Sequence, residues 1–157
     1  MIKLSPRLMA EMRRHAEREY PHECCGLLVG RIADEGHTRE VVELYPVANT
    51  YTEAERHHRM QIPPLAYARA ERQFAPRGLG VVGNYHSHPD HPAVPSQFDL
   101  AHLAPWPTMS YVVVSVEQGR AVDVRSWELA PDRSRFTEEQ MTEDELQDED
   151  AESLVRR

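Results

Sequence analysis

The sequence predicts a mixed α/β fold in a single domain, and three observations support that prediction. The chain has 157 residues, an ordinary length for one domain. Its 40% hydrophobic and 28% charged residues are typical of a globular protein. Segments with helical periodicity alternate with apolar runs, and short turns between some of these runs predict an antiparallel part of the sheet.

Capping and turn residues delimit the elements of the first half. Ser5 is a good N-cap and Pro6 suits the first helical position, so a helix is expected to begin there and to end before Pro21. An apolar run with two glycines follows, then a turn and an alternating segment, which together predict a hairpin. The predicted ranges are 2–4 (strand), 6–20 (helix), 24–32 (strand) and 38–47 (strand).

Prolines delimit the elements of the second half. Pro63 and Pro64 open a helix, and a strand that is apolar until Asn84 leads into a proline-rich loop. Ser96 then caps a short helix, and two strands follow around a turn at Gln118. The predicted ranges are 48–62 (exposed loop), 63–74 (helix), 79–88 (strand), 96–103 (helix), 109–116 (strand) and 121–129 (strand).

The net charge of −8 is concentrated at the C-terminal end, where nine acidic and two basic residues follow from Thr137. We therefore expect a domain over residues 1–136 and an acidic tail over 137–157 that is disordered or a frayed helix. The remainder has no basic stripe for nucleic acid and no basic amphipathic helix for a membrane surface. No apolar run could span a bilayer and no signal peptide is evident, so we expect a cytoplasmic protein.

The cysteines and several histidines have no role that the sequence determines. Cys24 and Cys25 are adjacent, so they cannot join distant segments, and we expect buried, reduced thiols that pack as small hydrophobic groups. His91 lies in the proline-rich loop beside the site described below and could contact substrate or tune a metal. His57 and His58 lie in the predicted exposed loop, where polar residues are common.

The segment His86-Ser87-His88 predicts half of a metal site. Side chains two apart on a strand share a face, so both imidazoles point one way and Ser87 points the other. Asp99, three residues after Ser96 on the first turn of the next helix, can face back toward the strand end. Two imidazoles and a carboxylate leave one zinc position open, as in catalytic sites. The spacing leaves an equal alternative, in which Ser96 and Asp99 only cap their helix.

Hydrolysis would also require a group that moves protons, and Glu23 is the candidate. It stands where the chain enters a buried strand, a place where a carboxylate is costly without a reason. The alternative is an exposed residue at a turn between a helix and a strand.

Together these residues resemble the JAMM motif of the MPN-domain metalloproteases. That motif consists of a distant glutamate, His-x-His, a seven-residue spacer, serine, two further residues and aspartate, which here are Glu23, His86, His88, Ser96 and Asp99. The segment from Pro21 to Gly30 resembles the glutamate strand of small prokaryotic members. The resemblance covers residues 1 to about 129, nearly all of the chain before the acidic tail.

The resemblance implies a single-domain MPN fold, a curved mixed β-sheet flanked by helices that is akin to the cytidine-deaminase fold. It implies one zinc ion per chain held by His86, His88 and Asp99, with Glu23 as general acid/base and Ser96 as hydrogen-bond donor to the oxyanion. The implied reaction is hydrolysis of a peptide or isopeptide bond after the C-terminal Gly-Gly of a ubiquitin-like protein. In prokaryotes that partner would be a sulfur-carrier protein, and the released group an amino acid such as cysteine.

Three alternatives account for fewer of these residues. A non-catalytic MPN-type scaffold that binds a ubiquitin-like partner would typically lack one or more of the five motif residues, and all five are present. A RadC-type protein usually has asparagine where Ser87 stands, together with an N-terminal helical region that is not evident here. A zinc nucleoside deaminase uses a Cys-x-x-Cys pair, whereas the cysteines here are adjacent. The oligomeric state and the identity of the carrier are left open.

Overall fold

A mixed eight-stranded sheet forms the centre of the computed structural model, which describes residues 1–49, 61–102 and 106–144. The strands are β1 (Ile2–Lys3), β2 (Cys25–Ala33), β3 (Thr38–Val47), β4 (Gly80–Pro89), β5 (Ser110–Glu117), β6 (Arg120–Leu129), β7 (Phe136–Glu139) and β8 (Met141–Thr142). The helices are α1 (Pro6–Glu19), α2 (Pro64–Phe74) and α3 (Gln97–His102). The strand order is β7-β6-β5-β4-β2-β3-β1-β8. Strand β1 runs parallel to β3 and β8, and β4 parallel to β5; the predicted β2–β3 hairpin is antiparallel.

Helices α1 and α2 cover opposite faces of this sheet. Leu28 of β2 packs in one cluster with Met12 of α1, whereas its neighbour Leu27 packs with Ala70 of α2. Successive side chains of a strand point to opposite faces, so the middle of β2 is covered on both sides. This double burial explains why the segment reads as a continuous apolar run rather than as an alternating one.

An irregularity in β4 decides which face receives the histidines. Val81 packs on the α2 side and Val82 on the α1 side, yet Tyr85, an odd-numbered residue like Val81, also packs on the α1 side. The β2–β4 register shifts between Leu28 and Val29, opposite this part of β4. Because a one-residue slip moves every later side chain to the other face, the shift places Asn84, His86 and His88 on the α2 side.

The expectation of a disordered tail or frayed helix from Thr137 is wrong for residues 137–139 and 141–142, which belong to β7 and β8. Strand β7 pairs with β6, and β8 pairs with β1. The Phe136 ring lies 5.6 Å from that of Tyr111, and Glu139 buries its carboxylate 3.3 Å from the Arg39 guanidinium. These partners come from distant parts of the chain, so the acidic local composition gives no sign of them.

The remaining sequence-based elements agree with the structure to within about two residues, an ordinary uncertainty in helix ends. Residues 50–60, which include His57, His58 and most of the predicted loop, lie outside the described residues. Within the described part, none of the helices is both long and apolar enough to cross a bilayer. The cytoplasmic location stays a prediction.

Candidate active site

Three ligand-bearing side chains converge at the end of β4. His86 and His88 project from the strand, and Asp99 reaches them from the first turn of α3. The His86 Nε2 atom lies 3.0 Å from His88 Nε2 and 3.2 Å from Asp99 Oδ2, and the third separation, from His88 Nε2 to Asp99 Oδ2, is 3.1 Å. All three residues are buried. They are positioned to bind a metal ion.

The chemistry of this triangle fits a cation. The Nδ1 atom of His88 lies 2.9 Å from the carbonyl oxygen of Pro92 and donates to it, so Nε2 is the ring nitrogen available to a ligand. This Nε2 lies 3.1 Å from Asp99 Oδ2, so a nitrogen and a carboxylate oxygen converge where a cation would bind. A tetrahedral ion with bonds of 2.0–2.2 Å holds its ligand atoms about 3.3–3.6 Å apart, within a few tenths of an ångström of these separations.

Asp99 also has the capping role that the spacing left open, and this role is compatible with its position among the three candidate ligands. Its amide N–H donates to Ser96 Oγ at 3.1 Å, and its Oδ2 accepts from the Ser96 amide at 2.7 Å. Burial favours a raised pKa for Asp99, but the charge of His86 and hydrogen bonds from His86, His88 and the Ser96 amide hold that pKa far below its ordinary value. The cap therefore fixes an ionised carboxylate against both imidazoles.

Glu23 lies on the same face of the sheet as the two histidines. Cys25 pairs with His86 across β2 and β4, and the Ser87 amide donates to the Cys24 carbonyl at 3.1 Å, so Glu23 comes next, beside His88. Its side chain is buried, and it lines a cleft together with His88, His91 and Ser96. The alternative of an exposed turn residue is therefore wrong for Glu23.

Two polar side chains fix the backbone around Glu23. The amide N–H of Cys24 donates to Ser87 Oγ at 2.8 Å, and the side-chain amide of Asn49 donates to the Glu23 carbonyl at 3.1 Å. Ser87 lies between the two histidines in the sequence, but its side chain points to the opposite face of β4. There it binds the backbone next to Glu23. The sequence predicted the direction of Ser87 but not this contact.

The loop between the histidines and Asp99 is held by three consecutive carbonyl groups. His91 accepts from Ser115 Oγ at 2.6 Å, Pro92 accepts from His88 as described, and Ala93 accepts from Trp127 Nε1 at 3.0 Å. Because Ser115 and Trp127 lie on β5 and β6, the sheet itself positions the loop that leads to α3. Nothing in the local sequence identifies these two residues.

A fourth contact joins this loop to the segment before Glu23. The carboxylate of Asp90 accepts from Tyr20 Oη at 2.6 Å and from the Gln118 amide at 2.9 Å. Tyr20 follows α1 directly, so Asp90 connects the loop after His88 to the chain that leads to Glu23. An aspartate between prolines is a signal for side-chain hydrogen bonding in a turn, and that signal was available in the sequence.

The two cysteines are buried free thiols, as expected. Burial raises the pKa of Cys24 to about 12 and raises that of Cys25 as well, so both are protonated at neutral pH. His91 is exposed at the mouth of the cleft, and its role stays open.

Comparison with known families identifies the fold around this site. Residues 5–130 match the family described as prokaryotic homologs of the JAB domain. The chain belongs to that prokaryotic JAB family. The resemblance to the MPN-domain proteins that the motif indicated is thereby confirmed, and the fold class with it.

Relatives of this JAB-family chain include two proteins named for cleavage. It is 34% identical over 114 residues to a probable TtuB-protein conjugate cleaving protease of Thermus thermophilus, covering 73% of this chain and 70% of that one. It is 31% identical over 108 residues to a desampylase of Haloferax volcanii, covering 69% and 73%.

Solved structures share the fold of this chain. A solution structure of a Desulfitobacterium hafniense protein has a TM-score of 0.79 at 33% identity, covering 96% of this chain and 98% of the other. A JAB1/MPN domain protein from Archaeoglobus fulgidus has a TM-score of 0.54 at 18% identity, covering 90% and 97%, and it shows the fold alone.

Proposed function

We propose that this protein is a zinc metallopeptidase that hydrolyses the bond after the C-terminal Gly-Gly of a ubiquitin-like sulfur-carrier protein. The observation that supports it most strongly is the convergence of His86, His88 and Asp99 beside a buried glutamate in one cleft. The two relatives named for cleaving a protein conjugate and for desampylation support the same class of reaction. One zinc ion per chain would be held by the two imidazoles and the carboxylate.

In this proposal each residue of the cleft has one task. When bound, zinc would act as a Lewis acid that lowers the pKa of a water molecule and polarises the scissile carbonyl. Glu23 accepts the proton as water adds to the carbonyl carbon, and it delivers that proton to the leaving nitrogen as the carbon–nitrogen bond breaks. The second proton of the water passes from the new carboxylic acid to the released amine, so the products at neutral pH are a glycine carboxylate on the carrier and an ammonium group.

Ser96 is proposed to stabilise the oxyanion of the tetrahedral intermediate. Its Oγ accepts the Asp99 amide hydrogen, which leaves the hydroxyl hydrogen available for donation, and the residue is exposed at the cleft. One such donor typically contributes about 2.7–4 kcal/mol to transition-state stabilisation.

The leaving group has two candidate forms. One is a lysine side chain of a protein joined to the carrier by an isopeptide bond, and the other is a C-terminal amino acid such as cysteine. Both release a primary amine, so Glu23 would serve either reaction.

Intact-mass analysis of a Gly-Gly-tailed carrier tests this function. Two substrates are used, one with a C-terminal cysteine and one joined to a lysine-containing peptide, each incubated with the purified protein alone, after chelation and after zinc is restored. Loss of the added group that stops with chelator and returns with zinc is expected. A protein that contains one zinc but cleaves neither substrate would contradict the proposed substrate.

His88→Ala provides the matching control for the metal. Removing one of three ligands is expected to lower the zinc content and hydrolysis together. Full zinc occupancy in this variant, measured by elemental analysis after dialysis, would contradict the assigned ligand set.

A further inference from the structure

The connection between α1 and β2 presents Glu23, and it consists only of residues 20–24. Its far end is fixed at Cys24, whose amide N–H donates to Ser87 Oγ. Its near end is Tyr20, which directly follows α1 and lies three positions before Glu23. Because the connection is so short, a displacement of Tyr20 is transmitted to Glu23.

The loop after His88 lines the same cleft as Glu23, and it begins at a residue with an uncommon backbone conformation. Asp90 has φ 58°, in the left-handed region that few residues other than glycine adopt, although aspartate does so more readily than most. Such a conformation persists when the surrounding structure holds it. The Asp90 amide N–H donates to the Val116 carbonyl at 2.6 Å, and its Oδ1 accepts from the Gln118 amide at 2.9 Å. The start of the loop is therefore fixed to β5 and to the turn that follows β5.

One hydrogen bond joins these two segments of the cleft. Tyr20 Oη donates to Asp90 Oδ2 at 2.6 Å, a separation typical of a hydroxyl bound to a charged carboxylate. Tyr20 leads to Glu23 and Asp90 follows His88 by two positions, so the bond connects the segment of the proton carrier to that of the metal ligands. A general base must lie within about 2.6–3.2 Å of the group whose proton it takes, and this distance depends on how the two segments are held.

The exposure of this hydrogen bond indicates a role in geometry rather than in stability. Asp90 is exposed and Tyr20 is half-buried. Water can replace either partner, so losing the contact leaves no buried group unsatisfied, and the free energy of unfolding should change little. Water does not replace the fixed distance between the two segments.

The metal ligands have contacts of their own that do not involve this hydrogen bond. His88 Nδ1 donates to the Pro92 carbonyl, and the Ser96 amide donates to Asp99 Oδ2. Zinc binding should therefore be retained when the hydrogen bond is lost.

We propose that Tyr20 and Asp90 are positioning residues, whose hydrogen bond sets the distance between Glu23 and the metal site. This inference rests on the proposed function. It adds to that function a contact outside the five motif residues, one that controls the rate of the proton-transfer step but not the binding of metal or substrate.

A double-mutant cycle on the zinc-loaded protein tests the inference. Tyr20→Phe removes only the hydroxyl, and Asp90→Gly removes the carboxylate while suiting the left-handed backbone. The wild type, the two single variants and the double variant are compared on whichever Gly-Gly-tailed substrate the wild type cleaves. For each protein kcat, KM, zinc content and urea unfolding are measured.

Glu17→Ala is the matched control. Glu17 is exposed on α1, and its Oε2 accepts from the Ala121 amide at 3.0 Å. This contact joins the same helix to β6 rather than to the loop after His88, so its loss tests whether any weakening of the α1 packing lowers the rate.

Tyr20→Phe and Asp90→Gly should each lower kcat at least about tenfold, whereas KM and zinc content should change less than about twofold. The double variant should have a kcat within about twofold of that of Asp90→Gly, because the same hydrogen bond is lost only once. Glu17→Ala should keep kcat within about twofold of the wild-type value.

Three results would overturn the inference while leaving the proposed function intact. The first is a wild-type kcat in Tyr20→Phe. The second is a double variant in which the two single effects multiply, since that would show that the residues act independently. The third is an equal loss of kcat in Glu17→Ala, which would assign the effect to the packing of α1. Failure of the zinc-loaded wild type to cleave any Gly-Gly-tailed substrate would refute the proposed function, and the inference with it.

Discussion

Replacing Ser87 with alanine tests how the fold holds Glu23. The Ser87 hydroxyl accepts the Cys24 amide hydrogen at 2.8 Å, and both residues are at most 1% exposed. Alanine leaves that N–H buried without its acceptor, which costs about 1–3 kcal/mol of unfolding free energy. In a domain of this size each kcal/mol lowers the melting temperature by about 2–4 °C.

The same change should reduce turnover without removing the metal. The histidines on either side point to the other face of β4, so zinc content should be retained, whereas the segment presenting Glu23 loses the side-chain contact at the Cys24 amide. A displacement of about 1 Å at a catalytic group can cost as much as 100-fold in rate, so we expect kcat to fall at least about tenfold.

Ser126→Ala is the matched control for Ser87→Ala. Ser126 is equally buried and donates to Glu139 at 2.6 Å, in a network on β6 and β7 that is separate from the cleft. Urea unfolding, zinc content and kcat are measured for both variants and for Ser87→Thr, which keeps the hydroxyl. The reasoning is refuted if Ser87→Ala unfolds and turns over like wild type, or if Ser126→Ala loses turnover to the same extent.

Two further substitutions test parts of the fold that the sequence did not predict. Arg39→Ala should cost about 3 kcal/mol at pH 7, the low end for a broken buried ion pair, because the Met1 ammonium remains 3.3 Å from Glu139. Burial raises the pKa of Glu139 in the folded state, so protonating this carboxyl at low pH favours the folded protein, and that contribution is lost as the pH rises. The unfolding free energy lost in Arg39→Ala should therefore be smaller near pH 4 than at pH 7. Equal losses at both pH values, measured by urea unfolding, would argue against the network. Gly26→Ala would place a Cβ in steric conflict with the buried Tyr85 ring, so a loss of about 1–3 kcal/mol of unfolding free energy is expected. An unchanged melting temperature would contradict this packing.

The sequence predicted that His86, His88 and Asp99 lie together because their signals are local. His86 and His88 are two apart on a strand, and Asp99 follows a proline-rich loop on the first turn of a helix, from which it can face the strand end. Glu23 was found through its motif context. The structure adds the register that sets Glu23 beside His88, which depends on how β2 pairs with β4.

The supporting contacts and the C-terminal strands could not be predicted, since they depend on partners far away in the chain. Trp127 holds the Ala93 carbonyl across 34 positions, and Arg39 reaches Glu139 across 100. The register shift that turns the histidines toward α2 arises from pairing between β2 and β4, and no periodicity in the sequence predicts it. The tail composition was acidic and uninformative about pairing.

The measurement that tests the central claim most directly is zinc content and hydrolysis on the same sample of Glu23→Gln. Glutamine keeps the size of the side chain and one acceptor oxygen but cannot accept and return a proton. The account predicts a folded protein with one zinc per chain and no detectable cleavage of the Gly-Gly-tailed substrate that wild type cleaves. Wild-type cleavage by this variant would remove Glu23 from the mechanism, and loss of zinc would mean that the glutamate supports the metal rather than the proton transfer.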